Sequence, residues 1–289
     1  MPEKNKPTKD EHFVPRVYLR GFSDNGKSFF AYNMKEDKQI RNCSIETATR
    51  EKNIYEFKDN NNQLLYINLL EDTLSKLEGI FAKNRKKLLS KASYPENLNT
   101  KCFFTSEEKA FWKVYIVTQM LRTPMFIDFL TEKYSIEVGN KFTNNEIRNF
   151  TLMSMLPFFK EIINSKNNFF NFLLSKIDNS NVCAFVDNNN SLFTSDNPVA
   201  FNTQEFGANE IDIVYFPVTP HIALVLFGGK LKNESPKNQL CIFNNQQLNE
   251  FKLGMACAAQ NMIYSKFALS ADDIELIKKA RRINKNELF

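Results

Sequence analysis

The chain has 289 residues and a mass of 33.7 kDa, enough for one large domain or two modest ones. Hydrophobic residues make up 43% and charged residues 25%, which excludes disorder, collagen and coiled coil as the main state. Thirty-eight basic against 33 acidic residues leave a net charge of +5, which permits anionic partners without demanding one. Glycine is scarce at 8 residues and phenylalanine abundant at 28, so cores should be aromatic-rich and turns should lean on Asn.

Residues 1–11 are charged, lack an apolar core and read as a disordered tail without a secretory signal. The rest reads as a single α+β domain over residues 12–289. Strands are expected over 12–58: after a short helix opened by Pro15, Ser28–Met34 and Gln39–Ser44 form a hairpin, with Asn53–Phe57 as a further strand. A helical block follows over 64–177. Leu70, Leu74, Leu77, Phe81 and Leu88 recur at helical steps, and Thr105-Ser106-Glu107-Glu108 is a capping box for a second helix that Pro124 ends or kinks. Glu146–Asn164, kinked at Pro157, and Asn168–Ile177 complete it.

Strands return over 182–243, as Val182–Asp187, Ser191–Ser195, Ile211–Phe216, Ile222–Phe227 and Gln239–Phe243. Two helices, Gln246–Lys266 and Ser270–Ile283, close the chain. The N-terminal and C-terminal strand blocks are expected to share one sheet packed on the central helices. Five widely spaced cysteines without a CxxC pair predict a reducing, cytoplasmic setting and no structural zinc. The longest apolar stretch, Ile213 to Gly229, is interrupted by Pro217, Pro220 and His221, so no membrane span is predicted.

Several stretches carry candidate chemistry. Gly21 to Ser28 matches the phosphate-loop pattern G-x-x-x-x-G-K-[ST], but Pro15 interrupts the strand that should precede it, and a strand, not a helix, should follow Lys27. A Ser-Asp-Asn-Gly turn explains it as well, so an NTPase is the third reading. His12 and Arg16 stand four apart; a histidine serves as acid or base near neutral pH, and equally caps a turn. Gln119 and Arg122 share a helix face before Pro124, where the arginine either caps carbonyls or clamps a phosphate. Glu78 beside an apolar stripe wants a partner, and Arg16 or Arg122 would serve. Asp196 and Asn197 follow a strand directly before Pro198, as an Asx turn or as a carboxylate placed for proton transfer or metal binding. The basic runs Lys83–Lys91 and Lys278–Lys285 read as solvated helix faces.

Taken together, His12-x-x-Pro15-Arg16-x-Tyr18-Leu19, Asn53-x-Tyr55, Leu77-Glu78, Gln119-x-x-Arg122-Thr123-Pro124, Thr194-Ser195-Asp196-Asn197-Pro198 and Phe216-Pro217-x-x-Pro220 resemble a bacterial family, domain of unknown function 4238. The resemblance spans nearly the whole chain and implies positions, not an activity. Two functional expectations stand beside it. The first is an RNase-like enzyme acting on phosphodiesters, in phage defence or as a toxin, with RNA or a nucleotide as substrate. His12 and Asp196 would move protons, Arg16, Arg122, Gln119 and Asn197 would hold the phosphate, and Glu78 would orient, with magnesium on Asp196 and Glu78 if a metal is used. The second is a non-catalytic binding module in which the same residues knit strands to helices. Oligomeric state stays open.

Overall fold

The computed structural model describes residues 10–155, 169–202 and 211–286. It is an α+β fold in which two larger sheets and two helical layers share their cores, with two two-stranded ribbons beside them. The expected helix end beyond residue 155, with Pro157, lies outside the described residues, as do residues 1–9 of the expected tail. Asp10 and Glu11 are not tail: with His12 they form β1 (Asp10–His12), paired antiparallel with β4 (Arg50–Lys52).

α1 (Arg16–Leu19) follows Pro15, and the hairpin β2 (Ser28–Asn33) and β3 (Lys38–Ser44) turns at residues 34–37. Asp37 there takes φ 53, a left-handed conformation that Asp adopts more readily than bulky residues. β5 (Phe57–Lys58) pairs with β6 (Leu64–Leu65), so the strand expected from Asn53 begins later, after a turn in which Asn53 is left-handed. The helical block contains α2 (Leu69–Ala92), α3 (Ser106–Leu121), α4 (Pro124–Val138), α5 (Asn144–Ser154) and α6 (Phe169–Ile177). Thr105 and Glu108 form the expected capping box, and Pro124 stands at the first position of α4, where its missing N–H costs nothing.

The five-stranded sheet has the order β12-β7-β11-β10-β9, from β7 (Asn181–Val186), β9 (Ala200–Asn202), β10 (Ile213–Pro217), β11 (Ile222–Phe227) and β12 (Leu240–Ile242). β7 and β11 are nearly continuous apolar runs because both of their faces are covered. Val182, Ala184, Leu224 and Leu226 join the core under the helical block, whereas Cys183, Phe185, Ala223 and Val225 join a second core with Phe251, Met255 and Ile263. In the first core Phe81 of α2 stacks on Tyr115 of α3 at 4.3 Å, with Trp112 edge-on to Phe81 and Phe216 edge-on to Tyr115.

The remaining sheet, β3-β2-β13-β8, is where the strand blocks meet. β8 (Thr194–Ser195) and β13 (Met262–Ser265) lie beside the N-terminal hairpin, so one sheet is shared while the other is built from the C-terminal half alone. β13 corrects the expected helix Gln246–Lys266. α7 (Asn245–Ala258) ends where Ala259 turns extended, and the following residues enter the centre of the sheet. α8 (Ala271–Asn286) closes the described chain and packs on α7. The Lys83–Lys91 run is not simply solvated: Arg85 donates to the Val17 carbonyl at 2.7 Å, and Lys91 pairs with Glu108 at 3.0 Å.

Candidate functional site

The motif residues divide between two buried polar centres. The first sits where β1, the 53–57 turn, α2 and α3 meet, with the Arg122 guanidinium at its middle. Arg122 caps α3 and is only 2% exposed. Its Nη1 donates to Glu78 Oε1 at 3.0 Å, its Nη2 to the His12 carbonyl at 2.6 Å, and its Nε to the Tyr55 hydroxyl at 3.3 Å. Tyr55 returns its hydroxyl hydrogen to the Arg122 carbonyl at 2.7 Å. The partner that Glu78 requires is therefore Arg122, not Arg16, and the guanidinium is spent on the protein itself.

Around this arginine lie three further carboxylates, Glu11, Glu56 and Glu71. Glu11 Oε2 accepts the Tyr55 N–H at 2.9 Å and Glu56 Oε1 the Asn68 N–H at 3.1 Å. The second oxygens, Glu11 Oε1 and Glu56 Oε2, have no protein partner, and neither does Glu71 Oε2. Burial, reinforced by the charges of Glu56 and Glu71, pushes the Glu11 carboxyl up to about 7. Burial also raises Glu56 and Glu71, the latter against the opposing pull of Arg122. Gln119 sits on the same stripe of α3 as Tyr115 and Arg122, fully buried, with neither amide atom bonded; the Tyr115 hydroxyl is also unpartnered. All six unmet buried side-chain atoms found among the described residues thus belong to this region. Most buried polar groups in folded proteins are bonded, so such a concentration asks for an explanation.

His12 and Arg16 form the outer rim. His12 is half-buried, and its Nε2 lies 3.2 Å from the Glu46 carbonyl, which can only accept, so that nitrogen carries the hydrogen. Burial, then the Arg16 charge, lower the His12 pKa from its ordinary value. Arg16 is exposed and pairs with Glu46 at 2.7 Å.

The second centre holds Asp196 and Asn197, and none of its bonds reaches the first. Asp196 Oδ1 accepts the Gln260 N–H at 2.8 Å, while Oδ2 accepts those of Asn261 at 2.8 Å and Met262 at 3.1 Å. Burial raises its carboxyl pKa even against these three donors. Asn197 donates to the Ala258 carbonyl at 3.1 Å, capping the end of α7. The pair therefore latches the α7–β13 turn to the end of β8. Tyr18 links the same region to the N-terminal motif: its hydroxyl donates to the Pro217 carbonyl at 2.7 Å and lies 2.7 Å from Thr194 Oγ1.

At the phosphate-loop pattern, Asn25 Oδ1 accepts the N–H groups of Lys27 and Ser28 at 2.8 and 2.9 Å, closing an Asx turn that opens β2. No helix begins at Lys27, so the ring of helix-terminal donors that cradles phosphate is missing there. Among the described residues no group of three or more His, Cys, Asp or Glu is placed to hold a metal ion, and no helix is long and apolar enough to cross a membrane.

Residues 11–268 match the family described as protein of unknown function (DUF4238), and the chain belongs to that family. No curated protein and no solved structure matches it.

Proposed function

We propose that the chain is a non-catalytic binding module whose motif residues are ties within the fold. The observation that carries this reading is the saturation of Arg122. A phosphate clamp needs free donors facing solvent, whereas this guanidinium is 2% exposed and donates through three nitrogens to protein acceptors. Asp196 supports the same reading, since both its oxygens are engaged by backbone N–H groups. The test is the purified protein incubated with labelled RNA, DNA and nucleotides, with and without magnesium. No turnover is expected. Turnover that His12→Ala abolishes while melting stays at the wild-type temperature overturns the module.

One observation favours the phosphodiesterase reading as the second. The rim places a titratable His12 beside an exposed Arg16, above a centre with unmet polar atoms. An RNase-like activity, in defence or as a toxin, would then use His12 for proton transfer and Arg16 for the phosphate. Glu71 and Glu78 would orient the reacting groups or hold magnesium.

A further inference from the structure

Away from both centres, a cleft of about 340 Å³ opens between the β7–β8 connection, α7 and the segment joining β13 to α8. That volume lies within the range of small-molecule pockets. Its floor is apolar, formed by Leu192, Leu248 and Leu269. Lys252 lines it while only 7% exposed, an unusual state for a lysine. Its ammonium donates to Asp273 Oδ1 at 2.8 Å, which uses one of three donors and neutralises the one carboxylate of the lining. Lys266 also lines it, with its Nζ 5.3 Å from the centre of the Phe267 ring and 3.1 Å from Oδ1 of the solvent-exposed Asp24, a surface pair that a phosphate can displace. Phe267 is 51% exposed, a large aromatic surface left at the cleft's edge. Lys252 and Lys266 thus stand against Asp273 in the lining and Asp24 outside it, and each ammonium keeps donors that its carboxylate does not use.

We propose that this cleft binds a nucleoside monophosphate, with the base stacked on Phe267 and the phosphate held by Lys252 and Lys266. The pairing of an aromatic platform with ammonium groups over an apolar floor is what such a ligand needs. Stacking accepts any base, and the lysines act as point charges for a phosphate.

The inference rests on the module reading in one respect, that the nucleotide is bound and not cleaved. The experiment is calorimetric titration of the full chain with AMP and UMP, with adenosine and inorganic phosphate as half-ligand controls. Both nucleotides should bind at least about tenfold more tightly than either half. Phe267→Ala alters an exposed ring, and Lys266→Ala removes only a surface ion pair with Asp24, of the kind that contributes little to stability. Each should weaken AMP about tenfold while melting stays unchanged. Phosphate binding as tightly as AMP, no saturable binding up to millimolar AMP or UMP, or affinity untouched by both substitutions overturns the site and leaves the module reading standing. Binding followed by release of phosphate overturns the module reading and leaves the site.

Discussion

The Arg122 centre and the Asp196 latch are both short polar motifs closed by proline, yet they are built to different standards. Around Asp196 both carboxylate oxygens have their donors, all of them backbone N–H groups from one turn. Around Arg122 the guanidinium is satisfied, but carboxylates on three neighbouring elements and the Gln119 amide are not. The first is a local closure, complete in itself; the second depends on four elements arriving together. Burial raises carboxyl pKa values in both, but only the Arg122 centre also leaves buried acceptors unmet.

The largest effect should come from removing the hub. Arg122→Ala leaves Glu78 and the His12 carbonyl without their donor at once, while Tyr55 keeps its bond to the residue-122 carbonyl, and should cost about 3–5 kcal/mol by denaturant unfolding. A loss below 1 kcal/mol would erase the distinction between hub and rim. The latch should come next. Asp196→Asn keeps the shape but offers one acceptor oxygen to three N–H groups, so about 2–3 kcal/mol should be lost. If it unfolds like wild type, the turn does not depend on its acceptor.

The third prediction asks whether the unmet carboxylates are felt. The folded Glu11 carboxyl titrates near 7, above its ordinary value of 4.5, so the native state holds this proton more tightly than the unfolded chain. The stability it contributes is present below about pH 4.5 and is lost as pH rises through 7. Glu11→Gln, which keeps an acceptor for the Tyr55 N–H, should therefore gain on wild type by roughly 2 kcal/mol between pH 5 and pH 8. Unfolding midpoints that move in parallel over that range would make the two centres alike. The smallest effect belongs to the turn outside both. Lys27→Ala should change stability by about 0.5 kcal/mol at most, and ATP or GTP should give no magnesium-dependent thermal shift. A shift that the substitution removes would restore the NTPase reading.

What was legible in the sequence was whatever is local. The hairpin around residues 34–37, the Thr105–Glu108 box and the apolar runs of β7 and β11 are written in neighbouring residues. β13 was not, because Met262-Ile263-Tyr264 continues the apolar pattern of α7 and the strand is imposed by distant partners, Asp196 and β2. The grouping of the carboxylates was illegible for a related reason. Glu11, Glu56 and Glu71 stand singly on a strand, a turn and a helix, and only tertiary packing brings them together. A signal was present in Ile54-Tyr55-Glu56-Phe57, where one acid is flanked by apolar residues.

The central position of β13 sets the order in which the protein can be finished. β2 and β3 are neighbours in sequence and can pair at once, but the other edge of β2 waits for residues 262–265. On the ribosome the hairpin must emerge, pair once and then persist with an open apolar edge while most of the chain is synthesised. A nascent chain halted at residue 180 has neither β8 nor β13, so the sheet cannot close until residues 262–265 have been made. The hairpin therefore keeps that edge of β2 unpaired while every element between β3 and β13 is synthesised.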